Sequence, residues 1–130
     1  LNNVYDNTVV YTDSVLNGLI DTLKQQQNVN TALIYLSDHG ESLGEKGLYL
    51  HGTPYAIAPK EQTHIQMLFW ANADFYQQHG VQNTCLQNMA NQPEISQDNL
   101  FHTVLGGLNV KTQVYNAQLD LFNACSQGKA

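Results

Sequence analysis

An α/β fold with a mainly parallel central sheet is predicted by three observations on the 130-residue chain. The order of elements reads helix, strand, long loop, strand, helix. The run Thr31 to Ser37 (TALIYLS) is nearly continuously apolar, with β-branched and aromatic members, as strands covered on both faces are. The loop after it, Asp38 to Glu61, is rich in glycine, proline and polar residues and is too long for a mere connection.

Each element follows from local pattern. Asp6, Asn7 and Thr8 offer N-cap side chains, and Val9, Tyr11/Thr12, Leu16, Leu19/Ile20 and Leu23 recur at three- and four-residue steps, predicting a helix from about Asn7 to Gln26. Asn28 to Asn30 break that pattern before the first strand. His64 to Trp70 (HIQMLFW) predicts the second strand, and Ala73 to Gln78 a helical turn stopped at Gly80. Val81 to Pro93 reads as irregular. Ser96 caps a helix over Gln97 to Leu105, with Asp98 in its first turn and Gly106 and Gly107 ending it. The tail from Gln113 to Cys125 carries weak helical periodicity at Ala117, Leu121 and Ala124. Two covered strands need sheet neighbours, so the rest of the sheet is expected in sequence beyond this chain.

Composition narrows the function. An apolar fraction of 42% suffices for a core, and only 12% of residues are charged. The formal charge of −6 argues against binding nucleic-acid phosphates or docking unaided on anionic lipid; cations are the better guests. No apolar stretch approaches the roughly 20 residues of a membrane span. Leu1 is not an initiator methionine and no charged-then-apolar leader follows it, so a processed product or a fragment is expected. Cys85 and Cys125 either pair with each other in an oxidising compartment or are buried thiols.

The chemistry concentrates at the end of the first strand. In open α/β sheets ligands bind beyond the carboxyl ends of strands, and Asp38-His39 sits at that edge. Carboxylate oxygen and imidazole nitrogen are both zinc ligands, and Gly40 permits the sharp turn that would let adjacent residues converge on one ion. Two ligands do not hold a zinc; His51 is the nearest further donor, with Glu41 as a supporting or substrate-facing carboxylate. A plain turn, with Asp38 capping and His39 solvated, is the competing reading. His64, His79 and His102 read as structural or solvated, Trp70 as core, and Lys60 as a solvated loop lysine.

With those residues in view, the chain resembles the lipid A phosphoethanolamine transferases, the family that includes the mobile colistin-resistance enzymes. The matching blocks are YDNTVVYTDSVL (5–16), YLSDHGESLGEKGLYLHGTPYAIAPKEQ (35–62), MLFW (67–70) and DNLFHTVLG (98–106), in the family's order. The resemblance implies an alkaline phosphatase/sulfatase-like sandwich, in a periplasmic catalytic domain tethered to the bacterial inner membrane by upstream helices. It implies zinc held by a glutamate and a threonine nucleophile from the first half of the domain, together with a pair matching Asp38 and His39. His51 matches the histidine that helps bind the phosphoethanolamine group or a second zinc, and Glu41 a carboxylate near the same group.

The implied reaction moves phosphoethanolamine from phosphatidylethanolamine to a lipid A phosphate through a phospho-threonine intermediate, which confers polymyxin resistance. No counterpart of the block bearing the threonine and glutamate, nor of the membrane region, is found in this sequence. Residues 1–130 are therefore expected to be the C-terminal portion of one zinc-dependent domain, inactive alone. Ser42 and Thr53 are conceivable substitute nucleophiles. A sulfatase- or phosphodiesterase-like hydrolase, or a non-catalytic binding fragment, is the alternative.

Overall fold

The computed structural model describes residues 2–90, 92 and 94–126. The chain divides into two compact units, the first ending at Ala71 and the second beginning at Asn72.

The first unit opens on helix α1, Asn2–Lys24. Its inward stripe is Thr12, Leu16, Ile20 and Leu23, half-buried at helical spacing. The helix starts upstream of the expected cap. Asp6, Asn7 and Thr8 lie inside it, and the Thr8 hydroxyl donates to the carbonyl of Tyr5 (2.7 Å), one turn back, instead of capping a free N–H. Its end falls near the expected place, with Lys24 in the last turn and Asn28 at φ 59°.

Strand β1, Ala32–Leu36, pairs with β4, Met67–Ala71. Between them lie β2 (Ser42–Leu43), a 3-10 turn over Glu45–Gly47, β3 (Tyr49–Leu50) and the short helix α2 (Lys60–Thr63). Both long strands are half-buried on each face. They correct one expectation: β1 and β4 run antiparallel, with Leu33 opposite Trp70 and Leu36 opposite Met67. A parallel return needs a crossover that carries the chain back along the sheet, usually a helix of several turns. The α-helix in this connection, α2, is only four residues long, so the chain leaves and re-enters the sheet at the same end. The second strand accordingly begins at Met67, and His64 stands before it as the exposed C-cap of α2.

In the second unit, α3 (Ala73–His79) is capped by Asn72, whose side chain accepts from the Phe75 N–H, and ends at Gly80 with φ 61°, as expected of a glycine stop. His79 stacks on Phe75 with ring centroids 4.3 Å apart, a structural role. The segment expected to be irregular contains helix α4, Asn83–Met89. Cys85, Leu86 and Met89 form its inward face, a pattern too short to stand out in sequence. Asn91 and Pro93 lie outside the described residues.

Helix α5, Asp98–Gly107, starts as Ser96 predicts: the Ser96 hydroxyl accepts from the Asp98 N–H (3.3 Å) while Asn99 accepts from the Ser96 N–H (2.9 Å). Gly106 and Gly107 form its end from inside, as its last two residues. They lie in its last turn because a Cβ on Gly106 would run into the Asp120 carboxylate, and one on Gly107 would sit 2.9 Å from the Phe122 ring.

Helix α6, Leu121–Ala124, is capped by Asp120 and tied to α5 through the Leu121 N–H, which donates to the Thr103 hydroxyl (3.1 Å). Phe75, Val81, Phe122 and Cys125 make the unit's buried core, with Phe75 edge-on to Phe122. Cys85 and Cys125 form a disulfide, resolving the two alternatives left by sequence. Asp120 is only 3% exposed. Its Oδ1 accepts from the Phe122 N–H (2.8 Å) and its Oδ2 from the Tyr115 hydroxyl (2.6 Å). Burial, then that hydrogen bond and the Asp120 charge, push the Tyr115 phenol up to about 12.

Candidate metal and substrate site

The β1–β4 register delivers the chain at Ser37 to the end of the sheet, where the Ser37 N–H still donates to the Gln66 carbonyl (3.1 Å). A tight turn follows. The Ser37 hydroxyl donates to the His39 carbonyl (2.7 Å) and the His39 N–H to Asp38 Oδ1 (3.0 Å). The next residue runs against α2: Gly40 donates its N–H to the Gln62 carbonyl (3.0 Å), and a Cβ on Gly40 would collide with the Glu61 carbonyl. Gly40 is therefore required by this close approach and not by an unusual φ.

The return strand supplies the second half of the site. Ser42 opposes Leu50 in the β2–β3 ladder, and one step further out in the same antiparallel sense Glu41 faces His51. Leu50 and Gly52 both take positive φ, 66° and 91°, so the backbone kinks on either side of His51 and turns it toward Glu41. The result is a cluster. Nδ1 of His51 lies 3.0 Å from Glu41 Oε2, and the rings of His39 and His51 stack with centroids 3.8 Å apart. Each of His39, Glu41 and His51 offers a ligand atom, and these atoms lie within 4.8 Å of one another.

Proton positions follow from the partners. His39 Nδ1 lies 2.9 Å from the Gly40 carbonyl, which can only accept, so the neutral ring carries its proton there and leaves an Nε2 lone pair. A carboxylate beside His51 Nδ1 does the same for that ring. The Glu41 side chain is only 20% exposed. Its Oε1 is buried and has no hydrogen-bond partner among the described residues. An orphaned carboxylate oxygen costs about 1–3 kcal/mol or more and calls for a cation or a strong donor. Two imidazoles and a carboxylate are a donor set that suits zinc.

The four residues marked in sequence are thus brought together unequally. His39, Glu41 and His51 converge. Asp38 is the outlier: its side chain is 89% exposed, with Oδ2 3.8 Å from His39 Nε2, adjacent to the cluster but outside the convergent triad. Ser42 is unfit as a substitute nucleophile, since the residue is only 1% exposed and its hydroxyl is engaged by the Gln62 amide (2.8 Å). Gln62 is a participant that no sequence pattern marked. A buried amide in a four-residue helix becomes visible only when the chain is folded.

Residues 1–110 match the sulfatase family model. The chain belongs to the sulfatase family. It is 50% identical over 124 residues to the phosphoethanolamine transferase EptA of Salmonella typhimurium, an alignment that covers 95% of this chain and 23% of that protein. The crystal structure of the soluble domain of lipooligosaccharide phosphoethanolamine transferase A from Neisseria meningitidis superposes with a TM-score of 0.92 at 43% identity, covering 98% of this chain and 39% of that one. The C-terminal periplasmic domain of phosphoethanolamine transferase EptC from Campylobacter jejuni gives 0.84 at 48% identity, covering all of this chain and 40% of that one. The chain thus spans under a quarter of the length of that EptA protein and two fifths of the solved domains. The similarity to these phosphoethanolamine transferases bears out the resemblance read from the sequence blocks, and the family model and fold neighbours bear out a sulfatase-like architecture.

Proposed function

We propose that this chain is the C-terminal part of the catalytic domain of a zinc-dependent phosphoethanolamine transferase, which moves phosphoethanolamine from phosphatidylethanolamine to a lipid A phosphate through a phospho-threonine intermediate. The observation that carries the reading is the desolvated, unpartnered Oε1 of Glu41, set beside two histidines at the carboxyl end of a sheet strand. The similarity to EptA and to the Neisseria enzyme supports the substrate class.

In this reading Asp38 and His39 contribute to the primary zinc, with the remaining ligands, a glutamate and the threonine, coming from the first half of the domain. Zinc bound there lowers the pKa of a coordinated hydroxyl and offsets charge on phosphoryl oxygens. His39 serves through Nε2, held in that tautomer by the Gly40 carbonyl. Glu41 would offer its unpartnered oxygen to the ethanolamine ammonium or to a second cation, and His51, held by its Nδ1 contact with Glu41, would stand beside the same guest. The central sheet is completed, mainly in parallel, by strands of that first half.

The domain works on the periplasmic face of the bacterial inner membrane, held there by upstream helices; among the described residues no helix is long and apolar enough to cross a membrane. Adding an ethanolamine cation to lipid A lowers its negative charge and so weakens polymyxin binding. The test is made in the whole protein. Asp38→Ala and His39→Ala should each abolish phosphoethanolamine on lipid A, read by mass spectrometry, and unchanged modification overturns the reading. Release of free phosphoethanolamine to water without transfer would make the protein a hydrolase instead.

A further inference from the structure

The β2–β3 ladder has only two residue pairs, too few to fix by itself the relative placement of Glu41 and His51. Positive φ at Leu50 adds a backbone conformation that persists only where its surroundings impose it. Something else must hold the two arms. Buried Gln62, 7% exposed, meets both of them. Its carbonyl accepts from the Gly40 N–H (3.0 Å), its Nε2 donates to the Ser42 hydroxyl (2.8 Å), and its Oε1 accepts from the Thr53 N–H (3.2 Å). The orientation of the amide is set by Thr53, whose backbone N–H can only donate.

Those three bonds land on the residue before Glu41, the residue after Glu41, and the residue two beyond His51. We propose that Gln62 is the positioning residue of this site: its side-chain amide bridges the two loop arms and sets the separation of Glu41 and His51. The inference rests on the transferase reading above. Among the described residues Gln62 makes no hydrogen bond to the side chains of His39, Glu41 or His51, and it acts through Ser42 and Thr53.

A positioning role and a packing role predict opposite orders for two substitutions. Gln62→Glu keeps an acceptor for the Thr53 N–H, and the Ser42 hydroxyl can rotate to donate to the second carboxylate oxygen, so the bridge survives. Gln62→Met has nearly the same shape and makes neither bond. If Gln62 positions the site, transfer in the whole protein falls by on the order of 10- to 100-fold in Gln62→Met, as expected for a displacement near 1 Å, and Gln62→Glu retains most of it. The His39 and His51 ring signals in a proton–carbon NMR spectrum of the folded variants should move in Gln62→Met and stay near their wild-type positions in Gln62→Glu.

If Gln62 only fills space, Gln62→Met matches wild type and Gln62→Glu, burying a charge, is the damaged one; that order overturns the proposal. Should Gln62→Glu not fold, Ser42→Ala decides: it cuts one arm of the bridge with little change in volume. A several-fold loss of transfer at an unchanged melting temperature supports positioning, and wild-type transfer refutes it. Glu41→Ala and His51→Ala separate this from the reading beneath it. If both leave transfer intact the transferase site itself is wrong, whereas if both abolish it and Gln62→Met does not, only the positioning role fails.

Discussion

Glu41 and His51, ten residues apart, lie with Oε2 and Nδ1 3.0 Å from each other because a two-pair hairpin folds the loop back on itself. The pair is asymmetric. His51 is half-exposed, whereas Glu41 is largely buried with one oxygen bonded and the other not. A carboxylate held this way is costly to the fold and useful to a cationic guest. Replacing Glu41 with Met should therefore leave the metal-free protein no less stable, within about 0.5 kcal/mol or better, because the orphaned oxygen is removed. Transfer activity should fall by on the order of 100-fold or more. Thermal melts and lipid A mass spectrometry on the same variant check both halves.

Two glycines in helices should respond in opposite directions to alanine. Gly18 in α1 has nothing within 4 Å of a Cβ, so Gly18→Ala stabilises by about 0.5–1 kcal/mol through helix propensity. Gly106 faces the Asp120 carboxylate, and Gly106→Ala should cost about 1–3 kcal/mol as α5 and Asp120 are forced apart. Urea denaturation of the two variants gives the signs directly.

The Cys85–Cys125 bridge closes a loop across a separation of 40 residues. In the loop-entropy account this constrains the unfolded chain by about 4 kcal/mol. The double substitution Cys85→Ala/Cys125→Ala should lower stability by an amount of that order, measured by denaturant midpoint under oxidising conditions, and reductant should destabilise the wild type but not the variant.

Alkaline pH should loosen the second unit through Tyr115. Its folded-state pKa, raised to about 12 from the ordinary 10, favours the neutral phenol, so its contribution is whole below pH 10 and is lost as pH climbs toward 12. Tyr115→Phe removes that dependence, and at neutral pH costs about 1–3 kcal/mol because buried Asp120 Oδ2 loses its donor. Tyr76, raised by burial alone, leaves a residual alkaline slope in the variant. Stability against pH from 8 to about 12, wild type beside Tyr115→Phe, checks the difference.

Much of this was legible in the sequence wherever local chemistry decided the outcome. The apolar run before Asp38 is a strand, Gly80 stops a helix, and Ser96 starts one, since each depends on neighbours a few residues away. Misreadings arose where distant residues decided. Thr8 looked like a cap but satisfies its hydroxyl inside a longer helix. Gly106 and Gly107 do mark a helix end, but they lie inside its last turn, where Asp120 and Phe122 arrive from later in the chain.

The antiparallel sense of the β1–β4 pair is not legible in sequence because apolar continuity reports covering, not the direction of the neighbour. In the site, residue types and spacing point to Asp38, His39, Glu41 and His51, and the fold brings His39, Glu41 and His51 together. The unequal placement of Asp38 and the bridging amide of Gln62 depend on the fold of the loop and left no mark in the spacing.

The proposed zinc site, with Asp38 and His39 among its ligands, is open to a direct test. The most direct measurement is zinc stoichiometry and affinity of the whole protein, wild type against Asp38→Ala/His39→Ala, with circular dichroism to establish that both are folded. Tight zinc is expected in the wild type and its loss in the folded double variant. Zinc bound equally by both proteins would contradict it and return Asp38-His39-Gly40 to the status of a turn.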